Sequence, residues 1–75
     1  MSKNQIRLGC KYTDGKGNVR QVIAVVPQYT LYPTQQKDDN LRYKVLKKFK
    51  GPNLVGDERN STRASFAAWA KSEVE

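Results

Sequence analysis

Histidine is absent from the 75 residues and cysteine occurs once, at Cys10. One cysteine excludes an intrachain disulfide, and a Cys/His zinc site lacks the ligands it needs, so neither a structural metal nor a cofactor is expected. The commonest general base of nucleophilic catalysis is missing as well. Long apolar runs are also absent: nowhere do the roughly 18 consecutive apolar residues needed to span a bilayer occur. The first residues, Met1-Ser2-Lys3-Asn4-Gln5-Ile6-Arg7, contain no apolar stretch of signal-peptide length. The expectation is a cytoplasmic protein with no membrane association. The sequon Asn60-Ser61-Thr62 is then a chance match, because such a chain does not meet the glycosylation machinery.

Acidic residues are the other shortage. Seven of them face fourteen lysines and arginines, for a formal net charge of +7. On so small a surface that excess gives a positive potential over most of the molecule and favours acidic partners. DNA or RNA is the commonest such partner, and an acidic protein surface fits the same total.

The chain has enough length for one domain, spanning residues 1–75, and too little for two. At this size only about 60% of the unfolded surface is buried, so the core is thin. Apolar residues make up 37% of the chain, which is enough to fold and argues against disorder throughout.

Hydrophobic periodicity predicts mostly strands. Over residues 5–12 Ile6, Leu8, Cys10 and Tyr12 alternate with Gln5, Arg7, Gly9 and Lys11, the period of a half-buried strand. Asp14-Gly15-Lys16-Gly17-Asn18 supplies two glycines able to take positive φ, and so a hairpin turn. The stretch 19–26 is rich in β-branched residues and apolar on both faces from Val22 onward, as the most central strand should be, and Pro27 ends it. Residues 28–40 read as a loop: Tyr29, Leu31 and Tyr32 precede Pro33 and an aperiodic polar run. Alternation returns over 41–50, with Leu41, Tyr43 and Val45 on one face. A phase slip near Leu46-Lys47 would let a bulge bring both Leu46 and Phe49 to the core. Gly51-Pro52-Asn53 marks a turn, and 54–61 holds room for one more short strand.

A helix is predicted over about 63–73. Thr62 or Ser65 can cap it through a side-chain oxygen, and Phe66, Trp69, Ala70 and Val74 recur along one face. Three turns are marginal alone in water, so the helix must dock Phe66 and Trp69 onto the sheet. Trp69 can also be read as an interface anchor, but burial beside Phe66 is the simpler account.

The fold class is therefore β with one C-terminal α-helix (α+β), built on a small, strongly bent antiparallel sheet of four to five strands. The order of elements resembles the SH3-like small β-barrels with a closing C-terminal helix: a first strand, a Gly-rich turn, an apolar strand, a long loop, a basic strand and a closing element. That resemblance implies short, bent antiparallel strands and loops that carry binding. The segment Thr62-Arg63-Ala64-Ser65-Phe66-Ala67-Ala68-Trp69-Ala70 also looks like the closing helix of small phage and bacterial domains.

No catalytic constellation emerges, and no enzyme activity is expected. Cys10 sits on the apolar side of a strand pattern and reads as structural rather than as a reactive thiol. Asp38-Asp39 and Asp57-Glu58 fall in polar segments where water keeps carboxylates ordinary, and neither has the spaced oxygens of a calcium loop. Gly15-Lys16-Gly17 lacks the full phosphate-loop pattern and leads into a strand, not a helix.

The basic strand rises above this background. Arg42, Lys44, Lys48 and Lys50 point away from the core, Lys47 lies beside them, and Arg7 and Lys11 occupy the outward face of the first strand. Arg20 supports them. Such a patch can follow a phosphate backbone through counterion release, with Tyr29 and Tyr32 available to stack on bases. Lysines alternating on a strand also protect an exposed sheet edge, and tyrosines near prolines often close a core. Three readings follow: a nucleic-acid-binding or nucleic-acid-associated accessory protein; a protein-interaction module or phage-type inhibitor that binds an acidic surface; and a homo-oligomer joined through a sheet edge.

Overall fold

A computed structural model of the chain describes residues 1–25, 40–49 and 54–74. Among these the strands are β1 (Lys11–Thr13), β2 (Val19–Ala24), β3 (Asn40–Lys47), β4 (Glu58–Thr62) and β5 (Ser72–Val74), with a helix α1 (Arg63–Trp69) between the last two. All pairings are antiparallel and the strand order is β4-β3-β2-β1-β5. The β-branched strand β2 is thus the central one. The chain meanders outward from β1 to the edge strand β4, and α1 then carries it back to the free edge of β1.

Alternation decides which face is core. Tyr12, Val22, Tyr43, Val45 and Leu41 are buried on the inner face, where Ile6 and the helix residues Phe66 and Ala67, followed by Ala70, complete the cluster. Phe66 is the hub: its ring centroid lies 5.6 Å from Tyr12 in an edge-to-face contact, 5.5 Å from Tyr43 and 5.3 Å from Trp69. Such pairs add about 0.5 to 1.5 kcal/mol each to the stabilisation from burial alone.

The phase slip on β3 is a bulge at Leu46. Val19 and Arg20 are adjacent on β2, yet they face Lys47 and Val45, which leaves Leu46 as the extra residue. Ile23 is the extra residue on β2, between the Val22–Tyr43 and Ala24–Arg42 pairs. Bulges of this kind bend a strand and tighten its twist, which suits a small sheet that must curve over a thin core. The bulge half-buries Leu46 but does not bring in Phe49, which is 76% exposed.

The first strand is shorter than alternation implies. Residues Lys3–Gln5 form one 3-10 turn and Gly9 takes φ +84°, so extended backbone begins only at Lys11. The Gly9 N–H still donates to the Val22 carbonyl at 2.8 Å, and the Val22 N–H donates to the Cys10 carbonyl at 3.0 Å. Ile6 reaches the core, Cys10 is half-buried against it, and Leu8 points to solvent, contrary to its place in the alternating pattern.

The helix is also shorter. The Thr62 hydroxyl accepts from the Ser65 N–H at 3.1 Å, the cap expected of it. Helical backbone stops after Trp69, where Ala70 turns extended (φ −74°, ψ 133°). The Lys71 N–H then donates to the Thr13 carbonyl at 2.8 Å, and Ser72, Glu73 and Val74 pair with Thr13, Tyr12 and Lys11. Residues 70–73 are therefore not helix. Seven helical residues hold little stability of their own, so pairing with β1 decides the ending. The Met1 nitrogen donates to the Ala67 and Ala70 carbonyls at 2.9 and 3.1 Å, satisfying acceptors that a helix end leaves open.

The loop expected over 28–40 lies outside the described residues except for Asn40, which is buried and opens β3.

Candidate functional site

The outer face of the sheet collects lysines by register. Lys11 pairs with Gln21, and Gln21 with Lys44, so these three lie in one cross-strand row. Two strand spacings separate Lys11 from Lys44, about 10 Å. In the next row Thr13 pairs with Val19 and Val19 with Lys47, which places Lys47 on the same face. All three lysines are exposed.

Among the described residues, carboxylates do not neutralise this face. Glu58 is the cross-strand neighbour of Lys44, but its Oε1 accepts from Arg42 Nε at 3.2 Å. Asp57 pairs with Arg59 Nη2 at 3.6 Å. Asp14 is used inside the β1–β2 turn, where its Oδ2 accepts from the Asn18 side-chain amide at 2.8 Å and its Oδ1 from the Lys16 N–H at 2.8 Å. Those bonds, the Asn18 amide foremost, hold the Asp14 carboxyl below the usual carboxylate range. Among the described residues, Lys11, Lys44 and Lys47 have no ion pair.

The other cations fall elsewhere. Arg42 lies on the outer face, tied to Glu58 and, through Nη1, to Asn60 Oδ1 at 2.9 Å. Arg7 is exposed in the turn before β1 rather than on the strand's outward face. Lys48 is half-buried just beyond β3. Arg20 is the largest correction: it pairs with Tyr12 and Val45, both inner-face residues, and its guanidinium carbon sits 4.7 Å from the Tyr43 ring centroid and 4.1 Å from that of Trp69. It is part of the core's rim and does not join the lysine face. Lys50, Tyr29 and Tyr32 lie outside the described residues.

Sequence reasoning missed one exposed aromatic, Phe49. Its N–H donates to Asn18 Oδ1 at 3.0 Å, and Asn18 is in turn held by Asp14, so the turn between β1 and β2 fixes the Phe49 backbone. Gly17, at φ +93°, makes room: a Cβ there would stand 2.9 Å from the Phe49 Cβ. Residues 54–57, just before β4, lie at the same end of the sheet, where the Val45 N–H donates to the Asp57 carbonyl and the Gly56 N–H to the Val45 carbonyl. There Leu54 and Val55 are each 64% exposed, and Asp57 organises the backbone by accepting from the Leu54 N–H at 3.0 Å. The signal for Phe49 was present in the sequence as lysines on either side of it, a poor setting for a core residue.

No helix among the described residues is long and apolar enough to cross a membrane. No protein-family model matches the chain, and no curated protein or solved structure matches it significantly.

Proposed function

We propose that this protein is a small nucleic-acid-binding accessory protein on an SH3-like scaffold, and that it holds phosphates on its outer sheet face. One observation carries the reading: Lys11, Lys44 and Lys47 share that face, exposed and without ion pairs. Neutralised phosphates release condensed counterions, which gives affinity without sequence preference. The strand order supports the scaffold, because the first and last strands are neighbours and α1 lies in the chain between the two edges. The reading assigns no catalytic role to any residue.

A second reading, an interaction module for an acidic protein surface, draws on the exposure of Leu54 and Val55 beside the same cationic face.

The test is a fluorescence-anisotropy titration of labelled DNA and RNA oligonucleotides at two salt concentrations, with the double variant Lys44→Glu/Lys47→Glu as control. Binding should weaken with salt with a log–log slope of about −2 to −3, as for three phosphate contacts. The variant should lose most of that affinity while keeping its melting temperature. Absence of binding at low salt would remove the nucleic-acid reading and favour the acidic protein surface.

A further inference from the structure

The lysine face has an aromatic at its end that the core does not use. Phe49 follows β3 two residues after Lys47, next to Lys48, and packs its backbone on the turn that carries Lys16. The hydrogen bond from the Phe49 N–H to Asn18 Oδ1 holds that backbone, and the missing side chain at Gly17 leaves room for the Phe49 side chain, whose Cβ and Cγ would stand 2.9 and 3.4 Å from a Cβ there. One edge of the ring lies over Gly17 and the rest is open to water, the residue being 76% exposed. A largely open ring on a held backbone, following Lys47 and Lys48 in the chain, suits a ligand with a flat apolar face and negative charge nearby.

Resting on the reading of the lysine face above, we propose that Phe49 is a stacking platform for an unpaired base, so that the face takes single-stranded nucleic acid in preference to duplex. Lysines can hold the phosphates of either form and give no preference for the single strand. Only an unpaired strand can offer a base face to the ring, because in a duplex those faces are already stacked on one another. Base–aromatic stacking is tolerant of sequence, which matches a face whose arginine among the described residues, Arg42, is engaged by Glu58 and Asn60. Asp14 and Asn18 are positioning residues in this arrangement: they set the backbone from which the ring projects.

The experiment compares one oligonucleotide, carrying 2-aminopurine as a stacking reporter, as a single strand and as a duplex. It is titrated with the wild-type protein, Phe49→Ala, Phe49→Trp and Lys44→Glu/Lys47→Glu. Folding of each variant is checked by its amide spectrum. We expect the wild type to favour the single strand and to quench the reporter. Phe49→Ala should weaken single-strand binding about tenfold, the size of one lost stack, and leave duplex binding and its salt slope unchanged. Phe49→Trp should restore the affinity. If Phe49→Ala binds the single strand as the wild type does while the lysine variant loses both forms, stacking is overturned and the lysine face stands. If neither form binds wild type, both fall, and Phe49 belongs with Leu54 and Val55 to a protein-binding tip.

Discussion

The guanidinium carbon of Arg20 lies 4.1 Å from the ring centroid of Trp69 and 4.7 Å from that of Tyr43, so one cation is held between two aromatic rings at the edge of the core. The pairing explains why a charged residue sits on the inner face of the central strand: its stem covers apolar surface while the rings' negative faces offset lost hydration. Replacing Arg20 by alanine should lower stability by about 1 to 2 kcal/mol, measured by urea unfolding. A double-mutant cycle with Trp69→Leu should return a coupling of about 0.5 to 1 kcal/mol. Additive losses would show that the rings and the cation are merely neighbours.

Tyr12 ties the first turn to the sheet. Its hydroxyl donates to the Gln5 carbonyl at 2.7 Å and accepts from the Arg7 N–H at 2.8 Å. Tyr12→Phe leaves both backbone groups without that partner and should cost about 1 to 3 kcal/mol. Burial pushes the phenol above its ordinary value of 10.0, and the charges of Cys10 and Glu73 add to the shift, against the opposing Arg7 hydrogen bond. The protonated phenol is the form the fold prefers. Its contribution is therefore complete below pH 10.0 and is lost as pH rises through the raised value. An alkaline unfolding curve should show this limb in the wild type and a smaller one in Tyr12→Phe.

Gly17→Ala should be among the most damaging changes in any turn. It forces φ +93° on a residue with a side chain and puts the new Cβ 2.9 Å from that of Phe49. We expect a loss of about 1 to 2 kcal/mol. Amide shifts should concentrate at Asn18 and Phe49, and a spectrum changed only at residues 16–18 would mean that Phe49 does not rest on this turn.

Asp14 gives the same turn a pH dependence. Its carboxyl is held below its ordinary 3.8, chiefly by the Asn18 side chain and then by the Lys16 and Asn18 backbone N–H groups. Its share of stability is thus fully present above pH 3.8 and is lost as pH falls through the depressed value. Amide resonances of Lys16, Asn18 and Phe49 should move together in that acid range. Asp14→Asn, which keeps an acceptor without the charge, should abolish the titration.

Much of the architecture was legible because the inner face obeys strict alternation. Tyr12, Leu41, Tyr43 and Val45 are where a period of two puts them, and Phe66 is where the helical period puts it. The Leu46 bulge was legible too, since only an extra residue reconciles the phases on either side of it. The fifth strand was not. Val74 stands four residues after Ala70, the spacing of a helix face, and only pairing with Lys11 reveals it as strand. The first strand misled for a related reason: Leu8 keeps the period, but the positive φ of Gly9 breaks the extension that would have used it. Arg20 and Phe49 were transposed, the cation moving inward and the ring outward. Each was placed by its own chemistry alone, whereas stacking between rings and the space over a glycine depend on the folded partner. Of the basic residues singled out in the sequence, register puts Lys11, Lys44 and Lys47 on one face, Arg42 is held by Glu58, and Arg7 stands apart.

The pairing of β5 with β1 joins opposite ends of the described chain, whereas β1–β2 and β3–β4 are pairings of near neighbours in sequence. Closing so long a loop carries a large entropic penalty, and a strand of three residues returns few hydrogen bonds for it. Closure by β5 should therefore be the last event on the folding path and the first to reverse. In native-state hydrogen exchange the amides of β5 and the facing edge of β1 should open well before those of β2 and β3. While they are open, the bared edge of β1 is a template for the last strand of another molecule, so that concentration and time, rather than a new contact surface, would set how much exchanged dimer accumulates.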